Sequence, residues 1–222
     1  MRLQRQRNDI VFFGQRLVTS GLTVATGGNL SVADRTEGLI AISPSATDYF
    51  AMKPSQVAVV TMTGEKLEGR GKPSSELPLH LALYRERSDV RAVVHTHSVY
   101  ATTLASLGWE IPAFHYLVGF SGKKVPVAPY ATFGSEELAR NVAHALGDAN
   151  AVLMGNHGMV AVGDSMKSAF TLAEIVEYLA RVYCEVRKLG DPPTLPEEEI
   201  EGVIEKLKAY RVNEDRGGHE NR

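Results

Sequence analysis

With 222 residues, 44% of them hydrophobic and 23% charged, the chain is long enough to bury a substantial core as one large domain or two small ones. Its formal net charge of −2 argues against nucleic acid or a membrane surface as partner. A single cysteine, Cys184, excludes an internal disulfide and a thiolate-rich zinc site.

The start, MRLQRQRNDIVFFGQRL, reads as an amphipathic helix over residues 3–19 rather than a leader peptide. No window approaches the roughly 18 unbroken apolar residues of a membrane span, so a cytoplasmic protein is expected. A glycine-bearing loop, ATGGNLSV, leads into strands Leu30–Ala33 and Gly38–Ser43, and SPSATDYF breaks the pattern. Val57–Met62 and Glu65–Glu68, joined by Thr63-Gly64, form a predicted hairpin. In KPSSELPLH, Ser75 is the expected N-cap of a helix with Pro78 in its first turn. Val90–His95 reads as a strand, Ser98–Leu107 as a helix, and Val125–Ala128 as a strand. A helix opened by Ser135, the strand Ala151–Met154, a turn-and-strand GNHGMVAVG and a long helix Ser165–Leu189 follow. The Pro-rich GDPPTLPEEE then precedes a short helix Glu197–Tyr210 and a polar tail expected to fray. Residues 1–190 are expected to form the main domain, with 191–222 as linker, short helix and tail of the same domain. Strands and helices mixed along one chain predict an α/β three-layer architecture.

The stretch AVVHTHSVYAT carries the chemistry. Residues two apart on a strand share a face, so His95 and His97 lie side by side where a strand ends. His157, in LMGNHGMV, also follows a short apolar strand and sits between Gly155 and Gly158. Three histidines with an open position make a catalytic zinc site. Each alone also reads as an ordinary hydrogen-bonded histidine; the His-x-His pair together with Asn-His-Gly favours a metal. Glu76, at a helix start, reads by itself as a dipole-favoured acid and, beside a metal, as a fourth ligand and base. The clusters TGGN (26–29), SPSA (43–46) and Ser74-Ser75 offer hydroxyls and backbone N–H groups for one phosphate, although each alone is also plain turn chemistry. Lys72, Lys123 and Lys124 read as solvated or phosphate-steering charges. His80 and His144 read as ordinary helix residues, Trp109 and Phe114 as packing, and Phe133 as a possible wall of an aldehyde pocket.

Taken in order, TGGNLSV, ISPSATDY, KPSSELPLH, AVVHTHSVYAT, PAFHYLVGFSG, VPVAPYATFGSEELA and NHGMVAVG resemble the class II aldolase/adducin family from about residue 7 to about residue 190. The resemblance implies a three-layer α/β/α fold with a central, mainly antiparallel sheet, assembled as a C4 homotetramer with active sites at subunit interfaces. It implies one Zn2+ per subunit on His95, His97 and His157, with Glu76 as ligand in the resting enzyme and base during turnover. Thr26, Gly28, Asn29, Ser45, Ser74 and Ser75 match the phosphate-binding positions. Tyr116 matches an acid for the aldehyde oxygen, and Tyr210 a C-terminal tyrosine that closes over a neighbouring site. The implied reaction is reversible cleavage of a ketose 1-phosphate, such as L-fuculose 1-phosphate or a 5-deoxy- or methylthio-pentulose 1-phosphate. Its products are dihydroxyacetone phosphate and an aldehyde such as lactaldehyde. Rivals on the same fold are a ribulose-phosphate 4-epimerase and a methylthioribulose-1-phosphate dehydratase. A non-catalytic adducin-like binding module predicts lost ligands, whereas all four are present here. SPSA stands where the family usually has Thr-Gly.

Overall fold

The computed structural model describes residues 1–217, with side chains through residue 209. The elements are α1 (Gln4–Thr19), β1 (Asn29–Asp34), β2 (Leu39–Ile42), β3 (Ala58–Thr61), β4 (Lys66–Glu68) and α2 (Leu77–Glu86). They continue with β5 (Ala92–Thr96), α3 (Val99–Ser106), a 3-10 turn (Tyr116–Phe120), β6 (Val127–Ala128), α4 (Glu136–Leu146), β7 (Ala151–Met154), β8 (Gly158–Gly163), α5 (Met166–Leu189) and α6 (Glu197–Gly217).

The strands form one sheet in the order β4-β3-β2-β1-β5-β8-β7-β6. Every neighbouring pair is antiparallel except β6 and β7. The expected mainly antiparallel sheet between helix layers is what the chain forms. Both faces are covered, which is why the central strands are nearly all apolar rather than alternating with polar residues. On one face, Ile10, Leu17, Leu104, Phe170 and Val176 of α1, α3 and α5 pack on Leu30, Val94 and Ala161. On the other, Leu79, Leu83, Leu138 and Val142 of α2 and α4 pack on Ile40, Val93, Val160 and Val162. Along β5 the side chains alternate, Val94 toward the first layer and Val93 toward α2. His95 therefore continues on the α2 side, opposite Val160 of β8.

Local signals explain most boundaries. The Ser135 hydroxyl accepts from the Leu138 N–H at the start of α4, and Ser165 and Ser168 cap α5 reciprocally. Four expectations need correction. Glu76, not Ser75, is the N-cap residue of α2; the turn is closed earlier, by the Glu76 N–H donating to the Ser74 hydroxyl. The strand expected at Val90–His95 is shifted to Ala92–Thr96, because its pairing with β1 and β8 sets the register. Of Val125–Ala128 only Val127–Ala128 joins the sheet, since Val125 pairs with Ile111 instead. The last helix runs to Gly217 rather than ending at Tyr210. Val203, Ile204 and Leu207 of that helix crowd Gly119 of the 3-10 turn. Lys123 holds the helix start through Glu197 and Glu201. Among the described residues, no helix is long and apolar enough to cross a membrane.

Phe170 is fully buried, packs against Phe13 at 5.1 Å and lies under the Arg16 guanidinium. Phe170→Ala is expected to lower unfolding free energy by about 3–5 kcal/mol through the cavity it leaves. Urea denaturation checks this, and an unchanged midpoint would contradict the packing.

Candidate active site

Three chain segments meet at the end of β5. His95 is the penultimate residue of that strand and His97 follows it. His157 sits in the tight turn Gly155-Asn156-His157 between β7 and β8, closed by the His157 N–H donating to the Met154 carbonyl. Asn156 takes a φ of 54°, a left-handed value that asparagine tolerates better than most residues. Glu76 enters from the N-cap of α2 and is 5% exposed. One ligand atom from each of Glu76, His95, His97 and His157 lies within 4.8 Å of the others. The imidazole centroids are 4.8, 4.9 and 5.1 Å apart. His95 Nε2 lies 2.9 Å from His97 Nε2 and 3.1 Å from Glu76 Oε2, and His157 Nε2 lies 3.6 Å from Glu76 Oε1.

This donor set fits a divalent cation. Glu76 Oε1 is buried without a hydrogen-bond partner, a costly state for a carboxylate oxygen unless a cation completes it. His95 Nδ1 lies 2.9 Å from the Met159 carbonyl, which can only accept, so Nδ1–H donates there and Nε2 turns toward the cluster. Burial disfavours a positive charge on His95, yet the Glu76 carboxylate outweighs it and raises the imidazole above its ordinary value. The same pull acts on any cation held between these groups. Burial and the neighbouring His95 push His97 and His157 down to about 4, leaving both neutral and able to ligate at pH 7. Burial by itself raises the Glu76 carboxyl, but His95, Asn29 and His157 together hold it well below the usual carboxylate range.

Glycine lets the segments approach this closely. Gly28 has a φ of +68°, and a Cβ there would stand 2.6 Å from the His95 carbonyl oxygen. A Cβ on Gly158 would collide with the Thr96 carbonyl from the other side. The loop before β1 and the turn before β8 thus clamp the end of β5. The Tyr49 hydroxyl donates to the Gly28 carbonyl at 2.9 Å and secures that loop, a role nothing in the local sequence signalled.

The cluster opens into a cavity of about 340 Å³. All three small-residue clusters reach it: Thr26, Gly28 and Asn29 from the first loop, Ser45 from the second, and Ser74 and Ser75 ahead of α2. His97, His157 and Glu76 line the same cavity, and the fully buried His95 lies behind them. Ala46 adopts a φ of 51°, so the chain keeps a left-handed turn at the place where SPSA departs from Thr-Gly. Phe133 joins the wall, as does Tyr130, which the sequence reading passed over.

One expected residue is elsewhere, and another is not described. Tyr116 is 55% exposed at the start of the 3-10 turn, stacked on His115, and is not among the residues lining this cavity. The side chain of Tyr210 lies outside the described residues. Lys123 and Lys124 are engaged with Glu197, Glu201 and Glu110, away from the cavity.

His80, read from sequence as an ordinary helix residue, is fully buried. Its Nε2 lies 2.5 Å from Asn29 Oδ1 and its Nδ1 2.6 Å from the Ser31 hydroxyl. Asn29 Nδ2 in turn donates to Glu76 Oε2 at 2.8 Å. The signal available was spacing: His80 is four residues after Glu76 and so lies on the same side of α2.

A family model described as the class II aldolase and adducin N-terminal domain matches residues 8–184. The chain belongs to this family. This class II aldolase is 48% identical over 210 residues to the 5-deoxy-D-ribulose 1-phosphate aldolase of Bacillus thuringiensis serovar kurstaki, covering 95% of this chain and 99% of that one. It is 40% identical over 208 residues to the 5-methylthioribulose-1-phosphate/5-deoxyribulose-1-phosphate aldolase of Rhodospirillum rubrum, covering 93% of each. A solved L-fuculose 1-phosphate aldolase aligns with a TM-score of 0.92 at 44% identity, covering 94% of this aldolase and 98% of that chain.

His95→Ala in this aldolase is expected to lose bound metal, because it removes the nitrogen at the centre of the cluster. Elemental analysis of the purified variant checks this, and full metal content would remove His95 from the ligand set.

Proposed function

We propose that this class II aldolase uses one Zn2+ per subunit to cleave reversibly a ketose 1-phosphate whose chain ends in a deoxy carbon. 5-Deoxyribulose 1-phosphate is the leading substrate, with the methylthio-pentulose and L-fuculose 1-phosphates as close relatives. The products are dihydroxyacetone phosphate and a short aldehyde. One observation carries this reading: a cation-binding cluster shares a single cavity with three groups of hydroxyls and backbone amides suited to a phosphate. Its volume falls in the range of small-molecule sites. The relatives named above support the deoxy-sugar assignment, and the aromatic side chains of Tyr130 and Phe133 offer an apolar wall for the deoxy end.

Thr26, Gly28, Ser45, Ser74 and Ser75 hold the phosphate and so set the distance from it to the reacting carbons, while the Asn29 side chain, engaged with His80 and Glu76, borders the same cavity. A divalent cation on His95, His97 and His157 supplies Lewis-acid stabilisation of the negative charge that forms on the three-carbon fragment as C3–C4 breaks. Glu76 moves the carbon-bound proton, removing it in condensation and returning it in cleavage. Its Oε1 is the oxygen free to take that proton, because Oε2 is held by Asn29. Burial alone raises the Glu76 carboxyl, so loosening its contact with His95 turns it into a stronger base. Tyr116 hands a proton to the aldehyde oxygen in condensation and takes it from the C4 hydroxyl in cleavage. Because Tyr116 is exposed and outside the cavity of its own chain, it acts at the site of a neighbouring subunit. A ring of four subunits with sites at the interfaces satisfies that requirement. Tyr210 closes over the same interface.

Three measurements test this reading. A panel of ketose 1-phosphates, with dihydroxyacetone phosphate release coupled to its reduction, is expected to give the highest kcat/KM for 5-deoxyribulose 1-phosphate; release from none of them overturns the function. Glu76→Gln is expected to keep fold and metal and lose about 10²–10⁴-fold in kcat, the usual worth of a positioned proton transfer. Unchanged turnover would take the base role away from it. Mixed oligomers of Glu76→Gln and Tyr116→Phe subunits are expected to regain activity that neither variant has alone, since some interfaces then pair two intact residues. Mixtures as inactive as the parents would place Tyr116 outside the reaction or in its own chain's site.

A further inference from the structure

We propose that His80, together with Ser31 and Tyr84, is a positioning device that holds the Asn29 amide with its NH2 edge toward Glu76. The inference rests on the reading of Glu76 as the base of an aldol cleavage, and extends it to residues that touch neither substrate nor metal.

The geometry is a single file of hydrogen bonds. The Tyr84 hydroxyl lies 2.7 Å from the Ser31 hydroxyl, Ser31 Oγ 2.6 Å from His80 Nδ1, and His80 Nε2 2.5 Å from Asn29 Oδ1. Asn29 Nδ2 completes it at 2.8 Å from Glu76 Oε2. Ser31 and His80 are fully buried, Tyr84 is 2% exposed and Asn29 6%, so water does not substitute for a missing partner.

The direction of the file follows from its acidic end. An ionised carboxylate only accepts, so Asn29 must present its NH2 edge to Glu76 and its carbonyl to His80. His80 must then carry its proton on Nε2 and leave Nδ1 bare. Nδ1 accepts from Ser31, which accepts from Tyr84. Every donor in the file points toward Glu76. Burial, the largest influence on His80, pushes it down to about 3, in keeping with a neutral ring that has one N–H.

An asparagine amide is nearly symmetric in shape, and packing alone does not choose between its two edges. Turned over, Asn29 would set a carbonyl oxygen against the Glu76 carboxylate. That orientation demands the opposite His80 tautomer and a reversed file through Ser31 and Tyr84. The Glu76 carboxylate sets the polarity, and the buried file locks the Asn29 amide in the matching orientation, since turning it over requires every hydrogen bond to reverse at once. The consequence reaches the chemistry: Oε2 of Glu76 is pinned, and Oε1 is left as the proton acceptor.

The test compares His80→Leu, which removes both nitrogens, with His80→Gln, whose amide NH2 can reach Asn29 Oδ1 as Nε2–H does. His80→Leu is expected to lose about 10–100-fold in kcat, the scale seen when a group supporting an active-site ligand is removed. KM and metal content are expected to stay within about twofold, while His80→Gln recovers most of the kcat. Nitrogen NMR of 15N-histidine-labelled, metal-free wild-type protein is expected to show His80 as the Nε2–H tautomer. A folded His80→Leu with wild-type kcat, a His80→Gln as impaired as His80→Leu, or an Nδ1–H tautomer overturns the proposal. If His80→Leu does not fold, His80→Gln and the tautomer still decide it. Should the wild-type protein cleave no ketose 1-phosphate, the aldolase reading fails on its own, and the NMR result tests the polarity of the file independently.

Discussion

A carboxylate buried against imidazoles is the constraint on which the rest of the structure depends. Removing a charge from water is costly unless other groups replace the lost solvation. Glu76 is compensated by His95 at 3.1 Å, by Asn29 at 2.8 Å and by the nearby His157, yet one oxygen stays without a partner. The protein alone therefore leaves a deficit of positive charge where four ligand atoms converge. A divalent ion would resolve that deficit, and under the proposed function the unsatisfied oxygen belongs to the group whose bonding changes during turnover.

The sheet is arranged to make this convergence possible. β5 lies near its middle, between β1 and β8, and is buried on both faces. Its end is thus a rigid place from which to project His95. The neighbours bring Asn29 on one side and His157 on the other, and α2 lays Glu76 and His80 across the same face. Gly28 and Gly158 permit backbone contact at the two flanks, where any side chain would push the strands apart. The end of β5, the turn before β8 and the start of α2 thus hold the four converging side chains, while the loops ahead of β1 and α2 line the rest of the cavity.

Tyr116 stands in solvent with Tyr178 and Trp109 exposed on nearby elements, away from the cavity that the family resemblance assigns it to. Under the proposed function, an acid delivered from a neighbouring subunit would make assembly a condition of turnover. Such an arrangement would couple the stability of the oligomer to its chemistry, because a loosened interface would withdraw a proton donor without touching the histidine cluster.

What was legible in the sequence was whatever depends on short-range order. His95 and His97 share a face because strand side chains alternate. Ser135 and Ser165 announce helices because their hydroxyls replace missing backbone partners. The ordered motifs disclosed the family and so the fold. Register was not legible: β5 begins at Ala92 rather than Val90 because partners distant in sequence decide which residues pair. Nor was the role of His80 legible, since its neighbours Asn29 and Ser31 lie about fifty positions away and meet it only when β1 packs under α2. The chain by itself determined which side chains could ligate, cap or bend. The tertiary structure alone decided which of them share a buried space, because burial and hydrogen-bond polarity are properties of neighbours that the linear order does not contain.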